Sequence, residues 1–117
     1  MALFHPNKIE VKDSPIHGRG VFATSDIQAG EVIEECHFFT LSHTQTSAND
    51  VSLNRFVFCW PMGNNECHAV VLGYGTIYNH ADDNNATWET DGGLRLYRFY
   101  ATKDIKSGQE ILINYMR

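Results

Sequence analysis

The sequence has few cysteines, and their number and spacing argue against the usual cysteine-based sites. It contains three, at Cys36, Cys59 and Cys67, and no two of them form a C-x-x-C pair. This pattern indicates neither a disulfide framework nor a zinc ribbon. A zinc site built from Cys59, Cys67 and His68 lacks an evident fourth ligand at a useful spacing. We therefore expect no metal ion and a reducing, intracellular setting.

Long apolar runs and an excess of basic residues are also missing. No stretch approaches the roughly 18 apolar residues of a membrane span, and the segment from Met1 to Lys8 has no apolar core of signal-peptide length. Lysine and arginine total 9 against 14 aspartate and glutamate residues, for a formal net charge of −5. We expect no membrane and no direct nucleic-acid partner, because phosphate binding requires a basic surface. The acidic balance suits a lysine-rich peptide substrate, although it also serves simply to keep a small domain in solution.

A helical period of apolar residues is hard to find, so the sequence predicts a mostly β fold. The length of 117 residues fits a single domain over residues 1–117. Short segments alternate polar and apolar residues, or are rich in aromatic and β-branched residues, as strands do. The strands predicted in this way are 8–12, 21–23, 31–35, 37–41, 53–60, 68–72, 94–100 and 110–115. The polar residues 42–50 predict a surface loop.

One internal repeat links the two halves of the chain. Residues 22–33 and 100–111 share alanine, threonine, aspartate, isoleucine, glycine and a final isoleucine at matching positions without a gap. Each copy reads as a strand, a turn begun by aspartate, one buried isoleucine, a glycine suited to positive φ, and a return strand. Two copies are too few for a solenoid. The repeat therefore predicts two similar hairpins packed in one small domain.

Three segments carry the residues from which a functional site could be built. Gly18 and Gly20 let the backbone approach a ligand closely, although most such pairs are ordinary turns. Asn79 and His80, before an Asp/Asn-rich loop, could be metal ligands or a catalytic base, or a turn in which Asn79 bonds its own backbone. Tyr115 ends an apolar segment near the end of the chain. By itself this pattern is typical of a terminal strand with a space-filling aromatic residue.

In this order and spacing, the three segments resemble the SET domain family of S-adenosylmethionine-dependent protein-lysine methyltransferases. Residues 18–23 resemble the family's G-x-G motif, residues 78–85 its N-H-S-x-x-P-N motif, and residues 108–115 its G-E-E-(L/I)-x-x-x-Y motif. The run from Gly73 to His80 is similar to that of short stand-alone SET proteins of viruses and microbes. The resemblance implies a β-clip fold of small curled sheets, with a core over about residues 8–115 and a knot-like crossing of the C-terminal segment.

The resemblance also implies roles for individual residues. Tyr115 is expected to be the catalytic residue, which orients the substrate amine rather than acting as a strong base. Phe56 and Tyr74 are expected to line the lysine channel, although Phe56 could equally be a core aromatic residue. Backbone and side chains around two corners are expected to hold the cofactor S-adenosylmethionine. These cofactor-binding residues are His17, Gly18, Arg19, Gly20, Tyr78, Asn79 and His80.

Two departures from the family pattern qualify these expectations. Ala81 and Asn84 replace the usual serine and proline of the second motif, which puts the rigidity of that loop in question. Only two residues follow Tyr115, so no post-SET segment is expected. A partner subunit, such as a second copy in a homodimer, could complete the site; otherwise the site is unusually open, or the sequence is part of a longer chain.

The function expected from the resemblance is transfer of a methyl group to the ε-amine of a lysine in a protein substrate. The alternative is a non-catalytic SET-like module that binds a peptide or the cofactor without turnover. A β-clip ligand-binding domain of another family, for example one that recognises a sugar, would explain the repeat but not the pairing of Asn79-His80 with Tyr115. We expect a methyltransferase or a non-catalytic SET-like module that binds the cofactor to bind S-adenosylhomocysteine, and a ligand-binding domain of another family not to bind it.

Overall fold

The structure is a computed structural model that describes residues 4, 6–41, 58–60 and 67–115. These residues form strands and turns, with no helix among them. In chain order the strands are β1 (Ile9–Asp13), β2 (Arg19–Ala23), β3 (Val32–Cys36), β4 (Phe38–Leu41), β5 (Phe58–Trp60), β6 (Cys67–Val71), β7 (Asn79–His80), β8 (Ala86–Asp91), β9 (Leu96–Ala101) and β10 (Glu110–Ile113). The mostly β prediction is confirmed. No helix in the described part of the chain is long and apolar enough to cross a membrane.

The described strands form three small sheets, in the strand orders β1-β2-β10-β7, β3-β9-β8 and β4-β6-β5. In the first sheet β10 lies between two partners from distant parts of the chain. It pairs antiparallel with β2, where Ile111 lies opposite Val21, and parallel with β7, where Leu112 lies opposite Asn79. This arrangement brings the three sequence motifs to one place. The knot-like crossing of the chain stays a prediction.

The repeat forms two strand–turn–strand units that contact each other reciprocally. Ile27 and Ile105 occupy equivalent positions and exchange both backbone hydrogen bonds, at 2.8 and 2.7 Å. The aspartate of each copy accepts a hydrogen bond of 2.9 Å from a backbone amide of the other copy, Asp26 from Ser107 and Asp104 from Ala29. The glycines of both turns have positive φ, 88° at Gly30 and 92° at Gly108. The packing of the two copies against each other is confirmed, but the predicted hairpins are wrong, because the two strands of each copy lie in different sheets and pair with strands of the other copy.

Truncation of either central isoleucine is expected to destabilise the fold by a similar amount. Ile27 and Ile105 are 2% and 0% exposed, so Ile27→Ala and Ile105→Ala should each lower the free energy of unfolding by about 2–5 kcal/mol. Urea denaturation measures the change. The exposed neighbours Gln28 and Lys106 provide controls, since their alanine variants should stay within about 0.5 kcal/mol of wild type. Unequal losses of unfolding free energy in Ile27→Ala and Ile105→Ala would contradict the equivalence of the two repeat units.

The strand predicted over 94–100 begins later than expected, at Leu96. Residues 92–95 form the turn between β8 and β9 instead. In this turn the backbone N–H of Leu94 donates to a carboxylate oxygen of Asp91 at 2.9 Å, and Arg95 has a φ of 55°. The extension to residue 94 is therefore wrong, because the side chain of Asp91 stabilises the turn locally.

Strand β8 lies outside the predicted strands. Its inner face carries Ala86 and Trp88, both buried, while Glu89 is exposed. The alternation is present in the sequence, but it follows the polar run 82–85, which favours a loop. Pairing along the whole of β9 stabilises β8. Trp88 thereby reaches the C-terminal segment.

Candidate active site at the junction of β2, β7 and β10

The side-chain amide of Asn79 connects the three motifs. It is buried and donates to the carbonyl oxygens of His17 and Arg19, at 3.0 and 3.2 Å. It also donates to the carboxylate of Glu110 at 2.8 Å, and that carboxylate accepts a further hydrogen bond from the hydroxyl of Ser14 at 2.8 Å. Asn79 therefore bonds the backbone of the first motif rather than its own. The two N–H bonds of the amide are thus shared among three acceptors, which fixes the orientation of the side chain.

The two glycines of the first motif have different physical roles. A Cβ atom at Gly20 would collide with the carboxylate of Glu110 and lie 3.0 Å from the side-chain nitrogen of Asn79. At Gly18 nothing lies within 4 Å of such an atom, but the φ of +48° disfavours other residues. Gly20 is therefore needed for the close approach of β2 to β10, whereas Gly18 is needed for the shape of the exposed turn.

His80 holds the C-terminal segment in place. Its Nδ1 accepts a hydrogen bond of 3.1 Å from the backbone N–H of Tyr115, so this nitrogen carries no proton in the observed arrangement. The opposite nitrogen, Nε2, lies 3.4 Å from a carboxylate oxygen of the exposed Asp82. The rings of His80 and Tyr115 stack with centroids 6.3 Å apart. These contacts orient Tyr115, and they occupy the nitrogen that a general base would use.

The phenol of Tyr115 is partly buried at this junction. Its hydroxyl donates to the carbonyl oxygen of Tyr78 at 2.9 Å, and its ring lies 6.2 Å from that of Trp88. Burial raises the pKa of Tyr115 above its ordinary value. The phenol is therefore neutral, with its proton directed at a fixed carbonyl, and its oxygen can still accept hydrogen bonds. Such a group can orient an amine but is a poor base.

The side chain of Tyr78 is buried in the core. Its hydroxyl donates to the buried carboxyl of Glu34 at 2.6 Å, and its ring stacks on Phe99 with centroids 4.8 Å apart. Burial is the main cause that raises the pKa of both Tyr78 and Glu34. Of the groups on Tyr78, its backbone carbonyl is the one that contacts Tyr115.

Hydrogen bonds hold the loop within the second motif at the two positions that depart from the family pattern and at the neighbouring Asn85. The backbone N–H of Ala81 donates to Ile113 at 3.0 Å, and the side chain of Asn84 donates to the carbonyl of Ala86 at 3.0 Å. Asn85 bonds β10 twice, as donor to the carbonyl of Glu110 at 2.9 Å and as acceptor from Leu112 at 2.8 Å. These hydrogen bonds join the loop to β8 and to the C-terminal strand β10.

Of the two residues expected to line the lysine channel, Phe56 lies outside the described residues. Tyr74 is half-buried in the turn 72–77 and lines an open cavity of about 420 Å³ together with Glu34, Cys36 and Leu72. Tyr115 does not line that cavity. The role of Tyr74 in a lysine channel stays a prediction.

Several residues with side-chain hydrogen bonds at or near this junction are not identified by the sequence patterns. Glu110 lies within the third motif and Ser14 lies shortly before the first, but their hydrogen bond joins positions 96 residues apart. Glu34 is hidden by a register shift in the pairing of β3 with β9, between Val32 and Glu34, which breaks simple alternation. The described ranges contain no group of three or more histidine, cysteine, aspartate or glutamate side chains placed to hold a metal ion.

Comparison with known proteins agrees with this geometry. A curated relative from Schizosaccharomyces pombe, the histone-lysine N-methyltransferase specific for H3 lysine-37, is 28% identical over 109 residues, which cover 92% of this chain and 72% of the relative. The crystal structure of a candidate histone methyltransferase of Plasmodium falciparum superposes with a TM-score of 0.77 at 30% identity and covers 95% of both chains.

A more distant structure shows the shared fold. Polycomb Repressive Complex 2 of Chaetomium thermophilum, bound to S-adenosylmethionine, matches with a TM-score of 0.75 at 24% identity, over 95% of this chain and 15% of that one. The family model described as the SET domain matches residues 18–116, which include all three motifs. The chain therefore belongs to the SET domain family.

Proposed function

We propose that this SET domain is an S-adenosylmethionine-dependent protein-lysine N-methyltransferase. The observation that carries the proposal is the neutral phenol of Tyr115, which is oriented by the carbonyl of Tyr78 and the ring of His80 where the three motifs meet. The activity named for the Schizosaccharomyces pombe relative supports the same reaction. The substrate is a protein that carries a lysine.

The residues of the first motif fit the cofactor. The backbone from Pro15 to Arg19 is exposed, and the space beside Gly18 is open. The guanidinium of Arg19 is largely exposed, and its nearest ionic partner, Asp13, lies 3.9 Å away. A carboxylate such as that of a methionine moiety could pair with Arg19. When bound, S-adenosylmethionine supplies an electrophilic methyl group on a sulfonium.

The residues of this chain then have to align the lysine amine with the methyl group and to exclude water. The attacking lysine must be neutral, although the ordinary pKa of a lysine is about 10.4. The apolar surroundings of Trp88 and Tyr115 lower that pKa, and the proton leaves to solvent before transfer. The oxygen of Tyr115 accepts a hydrogen bond from the amine and thereby aligns its lone pair. No acid–base pair is required.

The substrate class follows from charge. With a net charge of −5 the domain attracts basic segments, and histones and ribosomal proteins carry such segments. We propose a lysine-rich intracellular protein as the substrate, methylated in the nucleus or cytoplasm of the cell in which the enzyme acts.

A methyl-transfer assay tests the proposal directly. The protein is incubated with radiolabelled S-adenosylmethionine and either purified histones or a cell lysate, while calorimetry with S-adenosylhomocysteine measures occupancy of the cofactor site. Labelling of a protein band together with binding is expected. Binding without labelling of any protein would favour a non-catalytic module, and absence of binding would contradict the assignment of the cofactor.

The pH dependence of turnover should reflect the substrate amine and not Tyr115. Because burial raises the pKa of Tyr115, the phenol stays neutral up to at least about pH 10. We expect kcat to rise with pH as the lysine loses its proton, without a descending limb below about pH 10. Steady-state rates from pH 6 to 10 measure the profile. A decline centred near neutral pH would contradict a neutral phenol.

A further inference from the structure

The reaction described above makes no use of a carboxyl group buried in β3. Glu34 is 2% exposed, and carboxyl side chains are almost never buried to this extent unless they are paired. The register shift after Val32 directs Glu34 into the interior directly after the buried Ile33. A group buried at this cost requires partners that compensate it.

Those partners lie at both ends of the turn 72–77. One carboxyl oxygen of Glu34 accepts the hydroxyl of Tyr78 at 2.6 Å, and the other accepts the backbone N–H of Tyr74 over a longer 3.4 Å. Gly73 has a φ of +67°, and a Cβ atom there would lie 3.0 Å from the second oxygen. The turn is therefore closely fitted to the carboxyl group.

The same turn leads directly to the catalytic phenol. Tyr78 follows residues 72–77, and its carbonyl accepts the hydroxyl of Tyr115 at 2.9 Å. Its ring is held on one side by stacking against Phe99 and at its tip by Glu34. The position of the carbonyl thus depends on contacts at the far end of the Tyr78 side chain.

We propose that Glu34 is a positioning residue for methyl transfer. By holding the phenol of Tyr78, it fixes the carbonyl that orients the hydroxyl of Tyr115. The inference rests on the proposed methyltransferase function, and it assigns to Glu34 a role in turnover beyond packing.

The decisive variant removes both members of the buried pair, as Glu34→Leu with Tyr78→Phe. The variant removes the hydroxyl of Tyr78 together with its acceptor, whereas the N–H of Tyr74 and the thiol of Cys36 lose an acceptor, so we expect a loss of about 1–3 kcal/mol of unfolding free energy. We expect kcat to fall about 10- to 100-fold, since small misplacements of reacting groups cost up to about 100-fold. The KM for the peptide should change less than about threefold, because an interaction used in the chemical step and not in binding is lost.

Two further variants test whether kcat depends on the position of Tyr78, and not on the charge of Glu34 or on a general effect of substitution. Glu34→Gln keeps an acceptor for the hydroxyl of Tyr78 and should retain kcat within about threefold. Glu10→Gln, at an exposed position of β1, is the matched control and should leave kcat unchanged.

A readout independent of turnover is the ¹³Cζ resonance of Tyr115 in tyrosine-labelled protein, assigned with Tyr115→Phe. It should shift in the double variant and stay in place in Glu34→Gln. Wild-type kcat and an unshifted resonance in the double variant would overturn the inference and leave the methyltransferase function intact. A wild-type protein that transfers no methyl group would overturn the proposed function, and the resonance would then decide the role of Glu34.

Discussion

Replacement of Tyr115 by phenylalanine is expected to lower kcat by about 100- to 1000-fold, the usual cost of removing one oriented polar group from a transition state. The variant keeps the ring that contacts Trp88 and His80. It loses the oxygen that aligns the amine, together with the hydrogen bond to Tyr78. Binding of S-adenosylhomocysteine should therefore change little while turnover falls.

Single-turnover rates with a fixed peptide, together with calorimetry, measure both quantities for Tyr115→Phe. Tyr100→Phe is a matched control, because Tyr100 is half-buried in β9 opposite Val32 and away from the motif junction. It should retain wild-type turnover. If Tyr115→Phe retained wild-type kcat, the chemical step would have to be assigned to another group.

Gly20→Ala is expected to disrupt the junction of β2 and β10. The added methyl group would collide with the carboxylate of Glu110, which in turn contacts Asn79 and Ser14. Overpacking by a single methyl group costs about 1–3 kcal/mol, and displacement of Glu110 adds the loss of its hydrogen bonds. We expect a loss of roughly 3 kcal/mol or more of unfolding free energy and at least about tenfold weaker binding of S-adenosylhomocysteine.

Alanine substitutions at two other glycines serve as controls for Gly20→Ala. Gly18→Ala should cost about 1–2 kcal/mol through its positive φ alone, because open space surrounds that position. Gly92→Ala, where nothing lies within 4 Å and φ is not positive, should be close to neutral. Addition of Glu110→Ala to Gly20→Ala should relieve the collision, so the combined loss should be smaller than the sum of the two single losses. If the combined loss equalled the sum of the two single losses, the collision with Glu110 would be excluded as the cause of the destabilisation by Gly20→Ala.

Local sequence pattern was sufficient for much of this molecule. The alternating segments predicted most strands, since a strand with one buried face requires period two wherever it lies. The repeat predicted two equivalent units because each copy carries its own turn signals, and Ile27 and Ile105 indeed contact each other. It did not predict that the two strands of each unit lie in different sheets and pair with strands of the other unit. The resemblance of the three motifs to the SET family is confirmed by the match over residues 18–116.

Tertiary structure decided what the motif residues do. Asn79, read from sequence as a metal ligand or a self-bonded turn, instead donates to His17 and Arg19, about sixty residues earlier in the chain. Glu34 became a buried partner of Tyr78 through a register shift that no alternation predicts. Sequence by itself determined most of the strands, the repeated turn and Tyr115 as the candidate phenol. The environment of that phenol depends on hydrogen bonds between residues far apart in the chain, which form only when β10 packs between β2 and β7.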